Sequence, residues 1–441
     1  MFRPTGFADL AGRRVGIFGY GVEGRATEAR LRLVGAECVL VDDDPAVGVL
    51  VTDRGGLEAL ATCAAVIKGP GIPRRRADVL ALEREVAVVS ALDLWLHEVD
   101  RRRVIGVTGT KGKSSTTALI DFALRCLGET SQCLGNIGQP PYDPAVDTSE
   151  GWLAVEISSF QCVDVTVAPA TVVVTSLGAD HLDWHGSLAQ YHHDKLSLTR
   201  AAGPHVTFVP ANRVFVEQRQ QLGGEVVAVG ADDTGLAVSL HLLGAHNDQN
   251  VALALAAVAH ATGRTIADVR RAVVERADDF VALAGRLTLV ATLERDGHRW
   301  RFVDDGLATA PLPTIAALAV FADDPVALIV GGFDRGVDYQ DLANAVRARE
   351  RPTTVITTGS VGERIGRAIA ATAPSVVPYA ARDLDDAVDY AQRALIDGGV
   401  VLLSPAAPSF DRYRNWEARS ADFARVTRDV INRSLGRDSN P

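Results

Sequence analysis

Apolar and polar positions along the chain repeat in one order three times: an apolar β-rich run, a glycine-rich turn, and a stretch with helical spacing. The first repeat is RRVGIFGYGVEGRATEARLRLVGAECVLVDDD, and the second is VIGVTGTKGKSSTTALIDFALRCLG. The third is less compact and begins with WRFVDDGLATAPLPTIAALAVF. Strands that alternate with helices of about ten to fifteen residues predict parallel sheets.

From these repeats we predict three α/β domains, with the pattern interrupted between them: residues 1–102, 103–284 and 285–441. In the middle domain, GWLAVEIS and ATVVVTSLG are typical of buried strands. The segment HNDQNVALALAAVAHATG has the spacing of a long amphipathic helix. The polar tail GRDSNP is expected to be disordered.

Composition narrows the class of protein. Hydrophobic residues make up 47% and charged residues 23% of the chain, and no apolar run is long enough for a membrane span. A net charge of −10 argues against a nucleic-acid surface. The 5 cysteines lack CxxC spacing, which favours reduced thiols over disulfides or zinc. The N-terminus has no signal-peptide core. We predict a cytoplasmic monomer that binds neither nucleic acid nor membrane.

The motif GYGVEGR places Gly19, Gly21 and Gly24 as GxGxxG between a predicted strand and a predicted helix, and Asp42 ends the next strand. Glycines let the backbone approach an anionic diphosphate at the helix N-terminus. The same spacing also arises from tight helix–strand packing, so both interpretations stand. Nothing downstream resembles hydride-transfer machinery, which disfavours an NAD-dependent dehydrogenase.

The motif TGTKGKSS resembles a phosphate-binding loop with short spacing, because two residues separate Gly109 from Gly112 where the usual pattern has four. Backbone N–H groups of such a loop can surround phosphate oxygens, and Lys113 adds a charge for the terminal phosphates. A hydroxyl from Ser114 or Ser115 can ligate Mg²⁺. The structural alternative is a glycine turn with an exposed lysine.

Three later segments add candidate ligands. Glu156 ends a buried strand, where a carboxylate needs a cation. The segment GADHLDWHGSLAQYHHDKL forms either a polar helix start or a second metal site; its candidates are Asp180, His181, Asp183, His185, His192, His193, Asp194 and Lys195. Asn247 and Asn250 begin a helix, where they serve as N-caps or contact adenine or phosphate.

In this order, the motifs resemble the Mur ligases of peptidoglycan precursor synthesis. The resemblance spans nearly the whole chain and rests on TGTKGKSS, LGNIGQP, VEISSFQ, ADHLDWHG, the Lys195 segment, LGAHNDQN, AGRL, VDDGLATAP, VGGFDRGVDY and LLSPAAPSFDRYRNWEARSADF. The segments GYGVEGR, GNIGQP and SPAAPSFDRY are most similar to the glutamate-adding enzymes. The expected fold is a Rossmann-like N-terminal domain, a central P-loop ATPase-type domain and a Rossmann-like C-terminal domain.

The resemblance implies that ATP phosphorylates the carboxylate of UDP-N-acetylmuramoyl-L-alanine and that the amine of glutamate attacks the acyl phosphate. Two Mg²⁺ ions and Lys113 would supply positive charge. Glu156 and Ser114 would hold one Mg²⁺, and His181 and a carbamylated Lys195 the other. The catalytic residues implied are therefore Lys113, Glu156, His181 and Lys195.

The other site residues follow from the matching motifs. The implied ATP-binding residues are Gly109, Thr110, Lys111, Gly112, Lys113, Ser114, Ser115, Asn247, Asn250, Arg286 and Asp305. The implied UDP-substrate-binding residues are Gly21, Val22, Glu23, Gly24, Gly69, Pro70, Gly71 and Asn136. The implied glutamate-binding residues are Thr309, Arg335, Ser409 and Trp416.

The chain departs from the usual D-glutamate-adding pattern. The third-domain motif, usually similar to DSKATN, here runs from Asp305 as DGLATA and lacks the lysine and asparagine. Gly285 and Lys111 replace a usual histidine and asparagine, and Arg335 stands where a lysine is usual. Arginine can bind a carboxylate through two parallel hydrogen bonds, whereas lysine cannot.

These departures are similar to a divergent branch that adds L-glutamate and works with a separate epimerase, and we predict that activity. The nearest alternative is the same ligase using D-glutamate. A folylpolyglutamate-synthase-like enzyme is disfavoured by the GxGxxG domain. An alternative of another class is a catalytically inactive nucleotide-binding homologue, for which Leu307 in place of lysine is the main support.

Overall fold

The computed structural model describes residues 2–436, so most of the predicted disordered tail lies outside the described residues. Within this range the chain forms three sheets, all flanked by helices, and the predicted α/β class is confirmed. It divides into two compact units, Met1–Leu236 with His246–Phe280, and Ala237–Ala245 with Val281–Pro441. The predicted boundaries at residues 102 and 284 stay predictions.

The first sheet lies near the N-terminus. Its strands are β1 (Arg14–Phe18), β2 (Glu37–Asp42), β3 (Leu50–Val51), β4 (Ala65–Lys68) and β5 (Ala87–Val89). The accompanying helices are α1 (Val22–Leu33), α2 (Leu57–Ala61), α3 (Ala77–Leu82) and α4 (Ala91–Glu98). The strands are parallel in the order β3-β2-β1-β4-β5, as in doubly wound nucleotide-binding sheets.

The second sheet is also parallel. Its strands are β6 (Val104–Thr108), β7 (Ser131–Gly135), β8 (Trp152–Glu156), β9 (Thr171–Val174), β10 (Val206–Pro210) and β11 (Glu225–Val229). The helices are α5 (Lys113–Cys126), α6 (Ser159–Cys162), α7 (Leu182–His185), α8 (Leu188–Arg200), α9 (Arg213–Glu217), α11 (His246–Thr262) and α12 (Ile266–Glu275). The short helix α10 (Leu236–Ser239) lies between α9 and α11 in the chain and falls almost wholly in the second compact unit. The strand order is β11-β10-β9-β6-β8-β7, which puts β6 between β8 and β9.

One hydrophobic core joins these first two sheets. It includes Phe7 and Trp95 from the N-terminal region and Leu134 and Val172 from the second sheet. Continuous apolar packing of this kind explains why both sheets belong to one compact unit.

The helix α11 differs from the predicted amphipathic pattern. Every residue from Asn250 to Ala259 is buried, so the helix is enclosed on all sides along its middle. It packs against α5, α12 and the strands of the second sheet. An apolar helix without a polar face is typical of a buried central helix. Among residues 2–436, no helix combines the length and apolarity that crossing a bilayer requires.

The third sheet belongs to the second compact unit. Its strands are β12 (Thr288–Arg295), β13 (His298–Asp304), β14 (Val326–Gly331), β15 (Thr353–Thr358), β16 (Tyr379–Ala380) and β17 (Gly399–Leu403). The helices are α13 (Pro311–Val320), α14 (Gln340–Arg347), α15 (Gly359–Thr372), α16 (Leu384–Ala394) and α17 (Trp416–Ser434). The order is β12-β13-β17-β14-β15-β16, with separate apolar clusters beside it.

The expectation of purely parallel sheets is wrong for this third sheet, because β12 and β13 form an antiparallel hairpin. Asp296 and Gly297 make the two-residue turn, with φ of 55° and 80°. Positive φ at both central residues is the type I′ geometry that matches the twist of a hairpin, and Asp-Gly favours it.

Candidate active site

The glycine-rich loop lies at the carboxyl end of β6 and leads directly into α5. Gly109 has φ of 142°, and a Cβ there would lie 2.0 Å from Oγ1 of Thr175. At Gly112, with φ of 87°, a Cβ would lie 2.5 Å from Oδ1 of Asn250. Both positions therefore require glycine. The loop points the positive end of the α5 dipole at the edge of the sheet, which favours an anion there.

The end of β9 holds this loop in place. The backbone N–H of Thr110 donates to the carbonyl of Ser176 at 2.9 Å, and the N–H of Lys111 donates to its hydroxyl at 2.8 Å. The Thr175 hydroxyl donates to the Lys111 carbonyl at 2.5 Å. Two of the N–H groups expected to surround phosphate are thus engaged within the protein. Sequence reasoning missed Thr175 and Ser176, although their position after a buried strand adjacent to β6 was a usable signal.

Two lysines converge on the first residue of the loop. Lys113 Nζ donates to the Gly109 carbonyl at 2.9 Å, and Lys195 Nζ donates to the same oxygen at 2.9 Å. Lys195 is 1% exposed. Burial, followed by the nearby charge of Lys113, lowers the pKa of Lys195 to about 7. At neutral pH a large share of this amine is uncharged and nucleophilic.

Glu156 ends β8, the strand beside β6, and is 1% exposed. Its Oε1 accepts a hydrogen bond from Asn136 Nδ2 at 2.9 Å. Its Oε2 is buried and has no hydrogen-bond partner in the described part of the chain. A buried carboxylate oxygen without a donor is costly unless a cation binds it. The environment of Glu156 is therefore compatible with a cation ligand, and that role stays a prediction.

His181 lies at the N-terminal end of α7 in a left-handed conformation, with φ of 48°. Its side chain is 50% exposed, and its ring packs against Phe160 with centroids 4.8 Å apart. Burial lowers the pKa of His181, partly offset by Asp180. A neutral, half-exposed imidazole can bind a metal ion. Non-glycine residues with positive φ are often found at functional sites.

Several of the other candidates of this segment are used within the fold, whereas Asp183 is exposed. His185 and Asp194 bond to each other at 2.8 Å, and His192 Nε2 lies 3.1 Å from the Gly178 carbonyl. Among residues 2–436, no cluster of three His, Cys, Asp or Glu side chains could hold a metal. A site here would instead combine one carboxylate with a hydroxyl, a histidine and a lysine. The carboxylate and the hydroxyl suit Mg²⁺, which prefers oxygen ligands and retains waters and phosphate ligands.

The predicted adenine or phosphate contacts lie close to the loop. Asn247 and Asn250 are 5% and 4% exposed, in the first turns of α11. Nδ2 of Asn250 donates to Oδ1 of Asn247 at 2.9 Å. Ser114 is buried and Ser115 half-buried in the first turn of α5. The structure thus brings the predicted ATP-binding residues of the first compact unit together around one loop.

The N-terminal candidates surround the start of α1. A Cβ at Gly24 would lie 2.3 Å from the Gly19 carbonyl oxygen, so this glycine allows close helix–strand packing. The Glu23 carboxylate accepts hydrogen bonds from Tyr142 at 2.7 Å and Gln161 at 2.9 Å. Burial raises the pKa of Glu23. Gly21 and Val22 are exposed, and a UDP-substrate role for these residues stays a prediction.

The segment Gly69–Gly71 follows β4, with Gly71 exposed at its tip. Lys68 anchors its base: the buried Nζ lies 2.8 Å from Asp164 Oδ2 and donates to the Ile72 carbonyl at 2.8 Å. The indole of Trp184 donates to the Gly71 carbonyl at 3.3 Å. These contacts fix the segment beside α7 within the same compact unit.

In the second unit, Asp305 follows β13 and is 9% exposed. Ser404 Oγ donates to its Oδ2 at 2.7 Å. Burial raises the pKa of Asp305 to about 7, with Asp304 adding to the effect. Thr309 is half-buried in the same loop, and Leu307, which replaces the usual lysine, donates its N–H to the Gly285 carbonyl at 3.0 Å.

The structure explains the glycine found in place of histidine before Arg286. Gly285 has φ of 72°, and a Cβ there would lie 2.7 Å from the ring of Trp416. The indole at the start of α17 occupies the space that a side chain at position 285 needs. The glycine at position 285 is thus coupled through packing to Trp416, one of the implied glutamate-binding residues.

Arg335 is exposed in the loop after β14. Its guanidinium lies 6.0 Å from the ring centroid of Phe410, which is 60% exposed. No carboxylate of the described residues pairs with Arg335. Ser409 is 2% exposed, and its carbonyl accepts from the N–H of Tyr413 at 2.9 Å. The arginine is therefore available for a carboxylate ligand.

Sequence reasoning missed Arg419, which is 5% exposed on α17. Its guanidinium donates to the carbonyls of Gly306 at 3.0 Å, Ala407 at 3.2 Å and Gly331 at 3.4 Å. Burial lowers the pKa of Arg419 to about 10. This cation joins the loops that carry Asp305, Ser409 and Arg335. The arginine in WEARSAD gave no distinguishing local signal.

The chain is similar to known proteins over most of its length. Residues 107–235 match the family model described as Mur ligase middle domain. A UDP-N-acetylmuramoyl-L-alanine--L-glutamate ligase of Salinispora tropica is 36% identical over 96% of this chain and 99% of its own. One of the same name from Xanthomonas euvesicatoria is 35% identical, over 95% and 96%. The structure of UDP-N-acetylmuramate-alanine ligase from Thermotoga maritima has a TM-score of 0.54 at 16% identity, covering 95% of this chain and 99% of that one.

Proposed function

The chain belongs to the Mur ligase family, and we propose that it is the ATP-dependent ligase that adds L-glutamate to UDP-N-acetylmuramoyl-L-alanine. The main support for this proposal is similarity over nearly the full length to relatives named for this reaction, at 36% identity over 96% of the chain. The predicted family membership is thereby confirmed. The residue roles below are proposals supported by the geometry of the site.

The first step transfers the terminal phosphoryl group of ATP to the free carboxylate of the L-alanyl residue, giving ADP and an acyl phosphate. Both reactants are anions, so the step needs positive charge more than covalent chemistry. Lys113, held over the loop by the carbonyl oxygens of Gly109 and Thr110, supplies it together with the α5 dipole. Asn136, bonded to Glu156, would orient the carboxylate that is phosphorylated.

In the second step the glutamate amine attacks the acyl carbon, the tetrahedral intermediate expels inorganic phosphate, and an amide forms. Arg335 would hold one carboxylate of glutamate through two parallel hydrogen bonds. Ser409, Thr309 and Trp416 would complete the pocket. The exposed guanidinium of Arg335, which has no acidic partner among residues 2–436, supports this role.

Mg²⁺ supplies Lewis-acid stabilisation of the charge on the transferred phosphoryl group when it is bound. The Glu156 oxygen that has no hydrogen-bond partner among the described residues supports a cation site, for which Ser114 would be the second protein ligand. His181 and Lys195 are the proposed ligands of a second ion. An ammonium group cannot ligate a cation, so Lys195 would act as a carbamate.

A carbamate at Lys195 makes activity depend on dissolved CO₂. Only the uncharged amine reacts with CO₂, and a pKa of about 7 leaves enough of it at neutral pH. We expect phosphate release to fall about tenfold or more in CO₂-depleted buffer and to recover with bicarbonate. Recovery should weaken below pH 7, because protonation of the amine then competes. A carbamate signal in ¹³C NMR with labelled bicarbonate checks the assignment, and bicarbonate-independent activity without that signal would contradict it.

The test of the proposed function is ATP-dependent phosphate release with UDP-N-acetylmuramoyl-L-alanine and either L- or D-glutamate. We expect release with L-glutamate and at least about a hundredfold less with D-glutamate, because a polar pocket rejects a misplaced substrate group strongly. Release with D-glutamate alone would identify the alternative stereochemistry. If protein that still binds ATP releases no phosphate with either glutamate, the inactive-homologue alternative is favoured.

A product that carries L-glutamate has a consequence for the reactions that follow. If the mature peptide needs the opposite configuration, an epimerase must invert the terminal residue after this ligase has acted. We propose functional coupling to such an enzyme. Incubating the ligase product with a cell extract and measuring the glutamate configuration tests this coupling.

A further inference from the structure

A buried chain of hydrogen bonds connects Ser159, His185 and Asp194. His185 Nδ1 lies 2.8 Å from Asp194 Oδ2, and its Nε2 lies 3.1 Å from Ser159 Oγ. The three residues are 4%, 1% and 3% exposed for His185, Asp194 and Ser159. The order of carboxylate, imidazole and hydroxyl matches a nucleophilic triad. Because all three groups are buried, a substrate cannot reach them. These hydrogen bonds therefore have a role other than nucleophilic catalysis.

Each member belongs to a segment that presents one candidate metal ligand. Ser159 begins α6, just after Glu156 at the end of β8. His185 ends α7, and its backbone N–H donates to the His181 carbonyl at 3.1 Å. Asp194 immediately precedes Lys195 on α8. The imidazole of His185 is therefore the point at which the three ligand-bearing segments are joined.

The carboxylate of Asp194 is itself fixed from a second direction. Arg75 donates to its two oxygens at 2.8 and 2.6 Å, and Gln190 donates at 2.7 Å. Asp194 cannot rotate without breaking these bonds, so its bond to His185 has a defined direction. Phe160 and Tyr191 pack against the imidazole, with centroids 5.7 and 5.1 Å away. These contacts leave His185 one orientation.

We infer that His185 is a positioning residue, which sets the mutual distances of Glu156, His181 and Lys195 through its bonds to Ser159 and Asp194. This inference rests on the proposed function, because it gives those three side chains their metal-binding role. Groups that orient metal ligands from behind strongly affect metal affinity without touching the ion.

The test compares His185→Ala and His185→Asn with His193→Ala. His193 lies on α8 beside Asp194, is exposed, and its ring contacts only Arg200 among the described residues, so it is a histidine control outside the buried hydrogen-bond chain. Two quantities are measured for each variant: ADP affinity by calorimetry over a Mg²⁺ series, and phosphate release over the same series. The calorimetric readout does not depend on turnover.

We expect His185→Ala to raise the Mg²⁺ concentration for half-saturation about tenfold or more in both measurements. The KM for glutamate should stay unchanged, because the glutamate candidates lie in the other compact unit. His185→Asn should recover part of the loss, since its amide can still donate to Asp194. His193→Ala should match wild type.

Three results would overturn the inference: an unchanged Mg²⁺ series in folded His185→Ala, an equal loss in His193→Ala, or a lower turnover with no shift in Mg²⁺ dependence. If His185→Ala does not fold, Ser159→Ala removes one bond and should shift the series in the same direction; no shift there also refutes the inference. Wild-type protein that binds ADP with Mg²⁺ but releases no phosphate with either glutamate would instead refute the proposed function.

Discussion

Replacing Glu156 by glutamine is expected to reduce ATP-dependent phosphate release by about a hundredfold to a thousandfold, while leaving the protein folded. The glutamine keeps the size of the side chain and an oxygen that can accept from Asn136. It replaces the buried, unpartnered Oε2 with an uncharged group, so the negative charge proposed to hold Mg²⁺ is lost. Preorganised charge is worth several kcal/mol to a reaction of this kind, about 2.7–4 for a single group.

The same substitution should raise the thermal stability of the ligand-free protein or leave it unchanged. A carboxylate that is 1% exposed and half-satisfied destabilises the fold, and glutamine removes that charge. A variant that loses activity but keeps or gains thermal stability shows that the charge serves function rather than folding. Asp121→Asn is the control, because Asp121 is a buried carboxylate on α5 paired with Arg125 and Ser131. Activity of the Glu156 variant within tenfold of wild type would contradict the assignment.

Asp164→Ala is expected to lower the free energy of unfolding of the first compact unit by about 3–5 kcal/mol. Lys68 and Asp164 are 0% and 1% exposed at their side chains and lie 2.8 Å apart. Removing the carboxylate leaves the buried Lys68 ammonium with its carbonyl partners but without its ion-pair partner. Arg74, which also donates to Asp164 at 2.9 Å, loses one of its two partners. Urea unfolding of the purified variants measures the change.

An exposed ion pair provides the matched control for this substitution. Arg213 and Glu217 are 90% and 55% exposed and lie 2.7 Å apart on one helix turn. Glu217→Ala should cost at most about 0.5 kcal/mol, because exposed pairs are screened and mobile. The double variant Lys68→Met/Asp164→Leu should recover most of the loss, since it leaves no unpaired charge. A cost for Asp164→Ala no larger than that of Glu217→Ala would show that water reaches the pair.

Short-range patterns predicted much of this molecule. Alternating apolar runs and helical spacing identified the strands β6, β8 and β9 and the phosphate-binding loop, because each depends on neighbours within a few residues. Glu156 and Lys195 were predicted as ligands from a buried strand end and an ordered set of motifs, and those roles stay predictions. The Asp296-Gly297 pair is also a local signal, typical of a hairpin turn. The prediction of parallel sheets did not take it into account.

Long-range packing decided the rest. The sequence placed His185 and Asp194 among candidate metal ligands, but the fold bonds them to each other and to Arg75, which is 119 residues from Asp194. The sequence pattern also predicted an amphipathic α11, whereas the surrounding helices and sheet cover that helix on all sides.

The sequence by itself therefore determined the elements, the family and the candidate ligands, since local periodicity and motif order are properties of neighbouring residues. Only the tertiary structure decided which polar groups are committed to the fold and which remain for a ligand. That distinction depends on buried partners distant along the chain: Thr175 and Ser176 engage the loop, while one oxygen of Glu156 is left without a donor among the described residues.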